Sequence, residues 1–223
     1  MSRFENVDCD EGMAALKRNS IDLIFTDPPY VKDQYQQAYT TLAKHAKRIL
    51  KPSGFLITYA PQYHLQEVMG ILGKKLEWFW LCSQLNENSG MLLVNHKNAM
   101  CGFKPILIYH KPPHKAPNKI FLDVIKGRRS KAHHAWEQSI HEALHLLSRF
   151  CIAGDIILDP FTGSGTTLLA AKLLGLDYIW FEIDPDTYQI ACQRLEQQPL
   201  DLRQFCEVEA RYADGDGLGK RRT

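Results

Sequence analysis

The sequence predicts an α/β fold built on a doubly wound, mostly parallel sheet. Two apolar runs that end in polar loops carry that prediction, together with strand and helix signals that alternate along most of the chain. The first run, Ile21 to Phe25, feeds Thr26-Asp27-Pro28-Pro29-Tyr30. The second, Asp155 to Asp159, feeds Pro160-Phe161-Thr162-Gly163-Ser164-Gly165-Thr166-Thr167. Open α/β sheets hold their ligands at the carboxyl ends of such buried strands.

Taken in order, Phe4 to Val7 reads as a short strand, followed by a helical stretch to about Arg18 and a turn at Asn19-Ser20. After the first loop, Tyr35, Tyr39, Leu42, Ala46 and Ile49 recur at helical steps, which predicts a helix from about Asp33 to Leu50. Lys51-Pro52-Ser53-Gly54 is a stop signal, and Gly54 to Tyr59 is strand-like. Gln62 to Leu72 reads as a helix and Leu76 to Leu85 as a strand. The alternation then breaks. Asn86 to Cys101 is polar, with an apolar patch only at Met91 to Val94, and Lys104 to Tyr109 can be one more strand. From Lys111 to Lys131 there are seven Lys or Arg residues against one acid, Asp123, interleaved with prolines, which predicts a basic loop or small insertion. A helix is expected from about Glu137 to Phe150, with Ile140, Leu144, Leu147 and Phe150 on one face. A second helix follows from about Thr167 to Leu174, then a strand from Tyr178 to Phe181 and a last helix from about Thr187 to Gln197. The glycine-rich, basic end from Tyr212 reads as weakly ordered.

At 223 residues, 45% hydrophobic and 23% charged, the chain suits one well-packed α/β domain with or without a small insertion. A net charge of +2 says little about partners, so local charge matters more. The six cysteines lack Cys-x-x-Cys spacing, which predicts reduced structural thiols in a cytoplasmic protein. No apolar run approaches a membrane span. His133-His134, His141 and His145 carry no metal signature, so no metal is expected.

The prolines at 28 and 29 stiffen the first loop. Its carboxylate, its carbonyls and the Tyr30 ring can grip a planar group bearing an NH2. In the second loop, Gly163 and Gly165 let backbone approach a ligand, and amides at the following helix start face it. Glu182 lies 23 residues after Asp159, a distance suited to an acid that binds a ribose diol. No Gly-Lys-Ser/Thr follows, and acids at 159 and 182 would repel a pyrophosphate. They suit a cofactor with a cationic centre and free hydroxyls, such as S-adenosylmethionine.

Asp27-Pro28-Pro29-Tyr30, followed much later by Asp159-Pro160-Phe161-x-Gly163-Ser164-Gly165-Thr166-Thr167, resembles the amino-methylating DNA methyltransferases. The order, catalytic motif first and cofactor motif last, is similar to their β class, and the likeness runs from about residue 4 to 197. The resemblance implies a circularly permuted Rossmann-like sheet of the class I methyltransferase kind. Residues 1–200 would form one methyltransferase domain, with 86–134 as a target-recognition insertion and 212–223 as a flexible tail. It implies that Asp27, Pro28, Pro29 and Tyr30 form the catalytic loop. Asp159, Pro160, Phe161, Gly163, Ser164, Gly165, Thr166 and Glu182 would bind S-adenosylmethionine, with Asp8 touching its adenosine portion. Many β-class members carry His-Pro-x-Gln-Lys-Pro twenty residues before the cofactor motif. Here an ungapped count puts His134-Ala135-Trp136-Glu137-Gln138-Ser139 there, so Gln138 and Ser139 are the candidate donors to the cofactor's carboxylate end.

Asp at the first motif position resembles the adenine-N6 members more than the cytosine-N4 members. The expected function is therefore methyl transfer to adenine N6 in double-stranded DNA, with the base extruded from the helix. Lys126, Arg128, Arg129 and Lys131 would contact phosphates. A homodimer is the assembly the class suggests, and a cytoplasmic, nucleoid-associated location follows from a DNA substrate. Cytosine-N4 methylation, methylation of RNA or a protein amide, and a non-catalytic DNA-binding relative remain as alternatives.

Overall fold

Residues 3–31, 34–86, 92–94, 97–127 and 140–197 are described by a computed structural model. The chain begins with β1 (Arg3–Glu5), α1 (Cys9–Ala15), β2 (Ile21–Thr26), α2 (Tyr35–Ile49) and β3 (Leu50–Tyr59). A turn of 3₁₀-helix (Gln62–His64) leads into α3 (Leu65–Gly73) and β4 (Glu77–Asn86). Next come β5 (Leu92–Val94), β6 (Ala99–Cys101), β7 (Phe103–His110) and β8 (Val124–Gly127). The chain continues through α4 (Ile140–Phe150), β9 (Ile156–Asp159), α5 (Thr166–Leu173), β10 (Asp177–Phe181) and α6 (Pro185–Gln197).

Eight strands form one sheet in the order β1-β10-β9-β2-β3-β7-β4-β8. Every neighbouring pair is parallel except the two made by β7, which runs against β3 and β4. The last strands of the chain thus sit between its first two. This is the permuted, mostly parallel sheet that the motif order implies.

Helices cover both faces, which is why β2 reads as a continuous apolar run rather than an alternating one. Ile24, Leu56, Leu107 and Leu158 pack with residues of α1, α2 and α3 on one side. Leu23, Phe25, Ile57, Ile108 and Ile157 pack with α4 and α5 on the other. The helical stripe of α2 is buried as its spacing predicts, and the Tyr39 hydroxyl donates to the Tyr59 carbonyl at 2.6 Å. Each such side chain, fully buried, contributes roughly 1.5–3 kcal/mol before entropy is subtracted.

Several expectations are corrected. The stop signal at 51–54 does end α2, but β3 begins at once, at Leu50, because that residue already pairs with Ile21 across an irregular register. The apolar patch near 91–94 is half of a small antiparallel hairpin, β5 with β6. The basic stretch holds more than loop: Val124–Gly127 forms β8, the parallel partner of β4. A four-residue strand at a sheet edge has too little alternation to be seen in sequence; its partner supplies the order. Residues 128–139 and 198–223 lie outside the described residues, and with them Arg128, Arg129, Lys131, Gln138, Ser139 and the tail. Among the described residues no helix is long and apolar enough to cross a membrane. His145, buried on α4, has a structural partner in the Leu122 amide, which donates to its Nε2 at 3.3 Å.

Candidate active site

β9 and β2 are neighbours in the sheet although 133 residues separate their linked side chains. Their carboxyl ends mark the point where the winding changes direction, the place where such sheets open a crevice. Both motifs arrive there. The Thr26 hydroxyl, last in β2, donates to Asp159 Oδ1, last in β9, at 2.7 Å in a buried contact. Asp27 follows directly and lines the same cleft as Asp159, Phe161, Gly163, Ser164 and Thr166.

The glycine turn is shaped by two left-handed residues, Gly163 (φ 54°) and Gly165 (φ 85°). Gly165 caps α5 and lies against α6: a Cβ there would meet that of Ala191 at 3.3 Å. At Gly163 no described atom lies within 4 Å of that position, so its open side faces free space. Thr162 anchors the turn by donating to the Asp159 carbonyl at 3.0 Å, while Pro160 is buried. The Thr166 hydroxyl lines the cleft and, though buried, has no hydrogen-bond partner among the described residues. Such an orphan is costly unless a ligand or water completes it.

Asp159 is almost fully buried, and burial pushes its carboxyl up to about 7. Hydrogen bonds from Thr26, the Phe161 amide and Thr167 work against that shift by favouring the ionised form. Glu182, just past β10, accepts from the Gly163 amide at 2.9 Å and from the Asp184 amide at 3.0 Å. Its carboxylate therefore reaches back to the glycine turn. Asp8 caps α1, accepting from the Asp10 amide at 2.8 Å. It stands on the segment after β1, the strand next to β10.

In the first loop, Pro28 is buried, Pro29 is exposed, and the Tyr30 ring leans on the α4 side of the core. The Tyr30 hydroxyl donates to Asp27 Oδ1. Burial, and then the Asp27 charge, push this phenol well above its usual range, so it stays a donor. The other carboxylate oxygen has a partner that sequence reading missed. Lys104 Nζ donates to Asp27 Oδ2 at 2.6 Å and lies 5.0 Å from the Tyr30 ring centroid and 4.4 Å from that of Tyr59. Lys104 is the second residue of β7, and because β7 is antiparallel its first residues come out at the carboxyl ends of β2 and β3. A lysine at the head of an apolar strand was the only signal available. Glu142 of α4, fully buried behind Tyr59, was missed too. It accepts from Gln84 Nε2 at 2.9 Å and from the Tyr59 hydroxyl at 3.5 Å, and burial pushes its carboxyl up to about 8.

Lys126 is exposed on β8, opposite Leu85 near the carboxyl end of β4. Since β4 runs parallel to β2, Lys126 stands near the end of the sheet where Asp27 lies.

A permuted, mostly parallel sheet with a rigid acidic loop and a glycine turn meeting at its crevice fits one class, the nucleoside-cofactor transferases. Residues 21–193 match the family of N6/N4 DNA methylases, and the chain belongs to that family. The type II methyltransferase M.HpaI of Haemophilus parainfluenzae is 27% identical over 241 residues, spanning 85% of this chain and 74% of its own. Among solved structures, the M1.HpyAVI–SAM complex aligns with a TM-score of 0.72 at 24% identity, over 87% of this chain and 99% of that one. The cytosine-N4-specific PvuII DNA methyltransferase aligns with a TM-score of 0.74 at 16% identity, over 96% of this chain and 93% of that one. These two likenesses concern the fold alone.

Proposed function

We propose that this chain methylates the exocyclic N6 amine of adenine in double-stranded DNA, using S-adenosylmethionine. The observation that carries the reading is the joining of both motifs in one cleft, with Thr26 bonded to Asp159 and Asp27 beside them. When bound, S-adenosylmethionine supplies an electrophilic methyl group on a positively charged sulfur. The residues present fit it. Asp159 favours a cationic centre, the open side of Gly163 leaves room for close approach, and the Thr166 hydroxyl awaits an acceptor or donor. Glu182 would take the ribose hydroxyls and Asp8 the adenosine edge, with Pro160, Phe161, Ser164 and Gly165 shaping the pocket. Gln138 and Ser139 remain the candidates for the carboxylate end.

The adenine amine is a weak nucleophile because its lone pair is delocalised into the ring. Asp27 accepts one of its N–H groups and the Pro28 carbonyl the other, which favours pyramidal nitrogen as the bond to carbon forms. Tyr30 stacks on the extruded base, and the fixed loop supplies positioning. The proton lost from nitrogen leaves through Asp27 or directly to solvent. Lys126, Arg128, Arg129 and Lys131 contact phosphates, within an 86–134 region that meets the target.

The test is transfer of labelled methyl from S-adenosylmethionine to duplex DNA, with digestion to nucleosides to name the product. N6-methyladenine is expected; N4-methylcytosine would correct the base, and transfer only to RNA or protein would overturn the reading. Asp27→Ala should lower kcat by at least about 10²–10³-fold while cofactor binding survives.

A further inference from the structure

Both oxygens of Asp27 are engaged within the chain, Oδ1 by the Tyr30 hydroxyl and Oδ2 by the Lys104 ammonium. An ammonium and an exocyclic amine present the same group to a carboxylate, an N–H donor on nitrogen. Lys104 Nζ moreover stands against the faces of Tyr30 and Tyr59, where a cation is attracted by the ring quadrupole. It thus occupies the kind of seat that a target amine needs: hydrogen-bonded to Asp27 and beside the Tyr30 ring. We propose that Lys104 is a positioning residue that stands in for the target amine, keeping Asp27 aimed until an extruded base displaces it toward Glu142. The proposal rests on the methyl-transfer reading above.

Three further observations support it. Lys104 is only about a quarter exposed, with a side-chain accessibility of 24%, so the pair is a partly enclosed contact rather than a solvated surface bridge. Its backbone pairs with Gln84 of β4, and from Ile106 on the strand is also paired with β3, so the base of the side chain is held while the four-carbon stem can swing. A receiving group also exists. Beyond the Tyr59 ring, whose hydroxyl contacts it, lies the fully buried Glu142. The charge of Lys104 already favours the ionised form of that acid, against a larger opposing effect of burial. An ammonium sliding along the Tyr59 face would gain a counter-ion there as it gives up Asp27. A lone structural lysine would need neither the seat nor the receiver.

A lysine that competes with the base for Asp27, yet hands the carboxylate over already aimed, has a distinctive kinetic signature, because without it more bound bases sit misaligned. On a duplex site mapped with the wild-type enzyme, Lys104→Met should lower kcat by about tenfold or more while KM for DNA falls or stays the same. Lys104→Arg, which keeps the charge but replaces the compact ammonium with a planar guanidinium, should recover kcat only in part. Glu142→Gln should raise KM for DNA several-fold with less effect on kcat, because the displaced ammonium loses its receiver. A risen KM with unchanged kcat in Lys104→Met would mark a plain phosphate contact and overturn the proposal, as would no change in either constant. Thermal melting of Asp27→Asn, Lys104→Met and the double variant reads the ion pair without any turnover, and non-additive shifts are expected. Additive shifts overturn the hold on Asp27. If the wild type transfers no methyl to DNA but the shifts are non-additive, the methyltransferase reading fails. The ion pair is then a structural lock, and the stand-in role falls with that reading.

Discussion

Burial raises the carboxyl of Asp159 to about 7 from an ordinary 3.8, and the direction of that shift fixes how pH acts on the cleft. The folded chain holds this proton more tightly than the unfolded chain does. The stability it contributes is therefore full below about pH 4 and is lost as pH rises through about 7. A cationic ligand has the opposite preference, since it binds the ionised form. S-adenosylmethionine affinity should accordingly rise between pH 6 and 8, and Asp159→Asn should flatten that rise while weakening binding. Calorimetric titration across that range checks it; an affinity independent of pH in the wild type would remove Asp159 from the cofactor's surroundings. The acid itself was legible in the sequence because it ends an apolar run before a glycine turn. Its partner Thr26 was not singled out: a threonine at a strand end is ordinary until the fold brings it to 2.7 Å from a residue 133 positions away. Lys104 stayed hidden for the same reason, since nothing local ties it to Asp27, 77 positions earlier.

Among the elements, the glycine turn between β9 and α5 offers the clearest separation of fold from function. Gly163 and Gly165 both adopt positive φ, so alanine at either costs roughly 1 kcal/mol of backbone strain. Their surroundings differ. A methyl at 165 presses on Ala191 of α6, whereas a methyl at 163 enters open space. Gly165→Ala should therefore lose the more stability, by about 1–3 kcal/mol once the tight contact is added. Gly163→Ala should stay near the strain cost alone and lose cofactor affinity instead. Urea unfolding alongside cofactor titration separates the two; equal losses of stability would refute the distinction. This turn was readable in advance because local chemistry dictates it. The strands β5, β6 and β8 were not, because three or four residues hold no period and are ordered only by a neighbour. The same limit explains why β7 was found as a strand while its antiparallel direction, which delivers Lys104 to the cleft, was not.

For the molecule as a whole, a net charge of +2 provides no general attraction to a polyanion, so affinity for DNA must come from where the charge is placed. The chain gathers seven cations against one acid between residues 111 and 131, and β8 carries Lys126 out at the end of the sheet that holds the cleft. Each cation that neutralises a phosphate releases condensed counterions and steepens the fall of affinity with salt by about 0.9 in the log–log slope. Changing Lys126, Arg128, Arg129 and Lys131 to glutamine, singly and together, should then reduce the slope stepwise, by up to that amount for each residue. The affinity loss should be nearly equal on target and non-target duplexes, since phosphate contacts position a protein without reading sequence. At low salt and saturating DNA the fourfold variant should keep a kcat near that of the wild type, because Asp27 and Tyr30 are untouched. Filter binding across a salt series gives the slopes. A loss confined to the target sequence would move these side chains from the phosphates to the base edges, and an unchanged slope would take the segment off the DNA altogether.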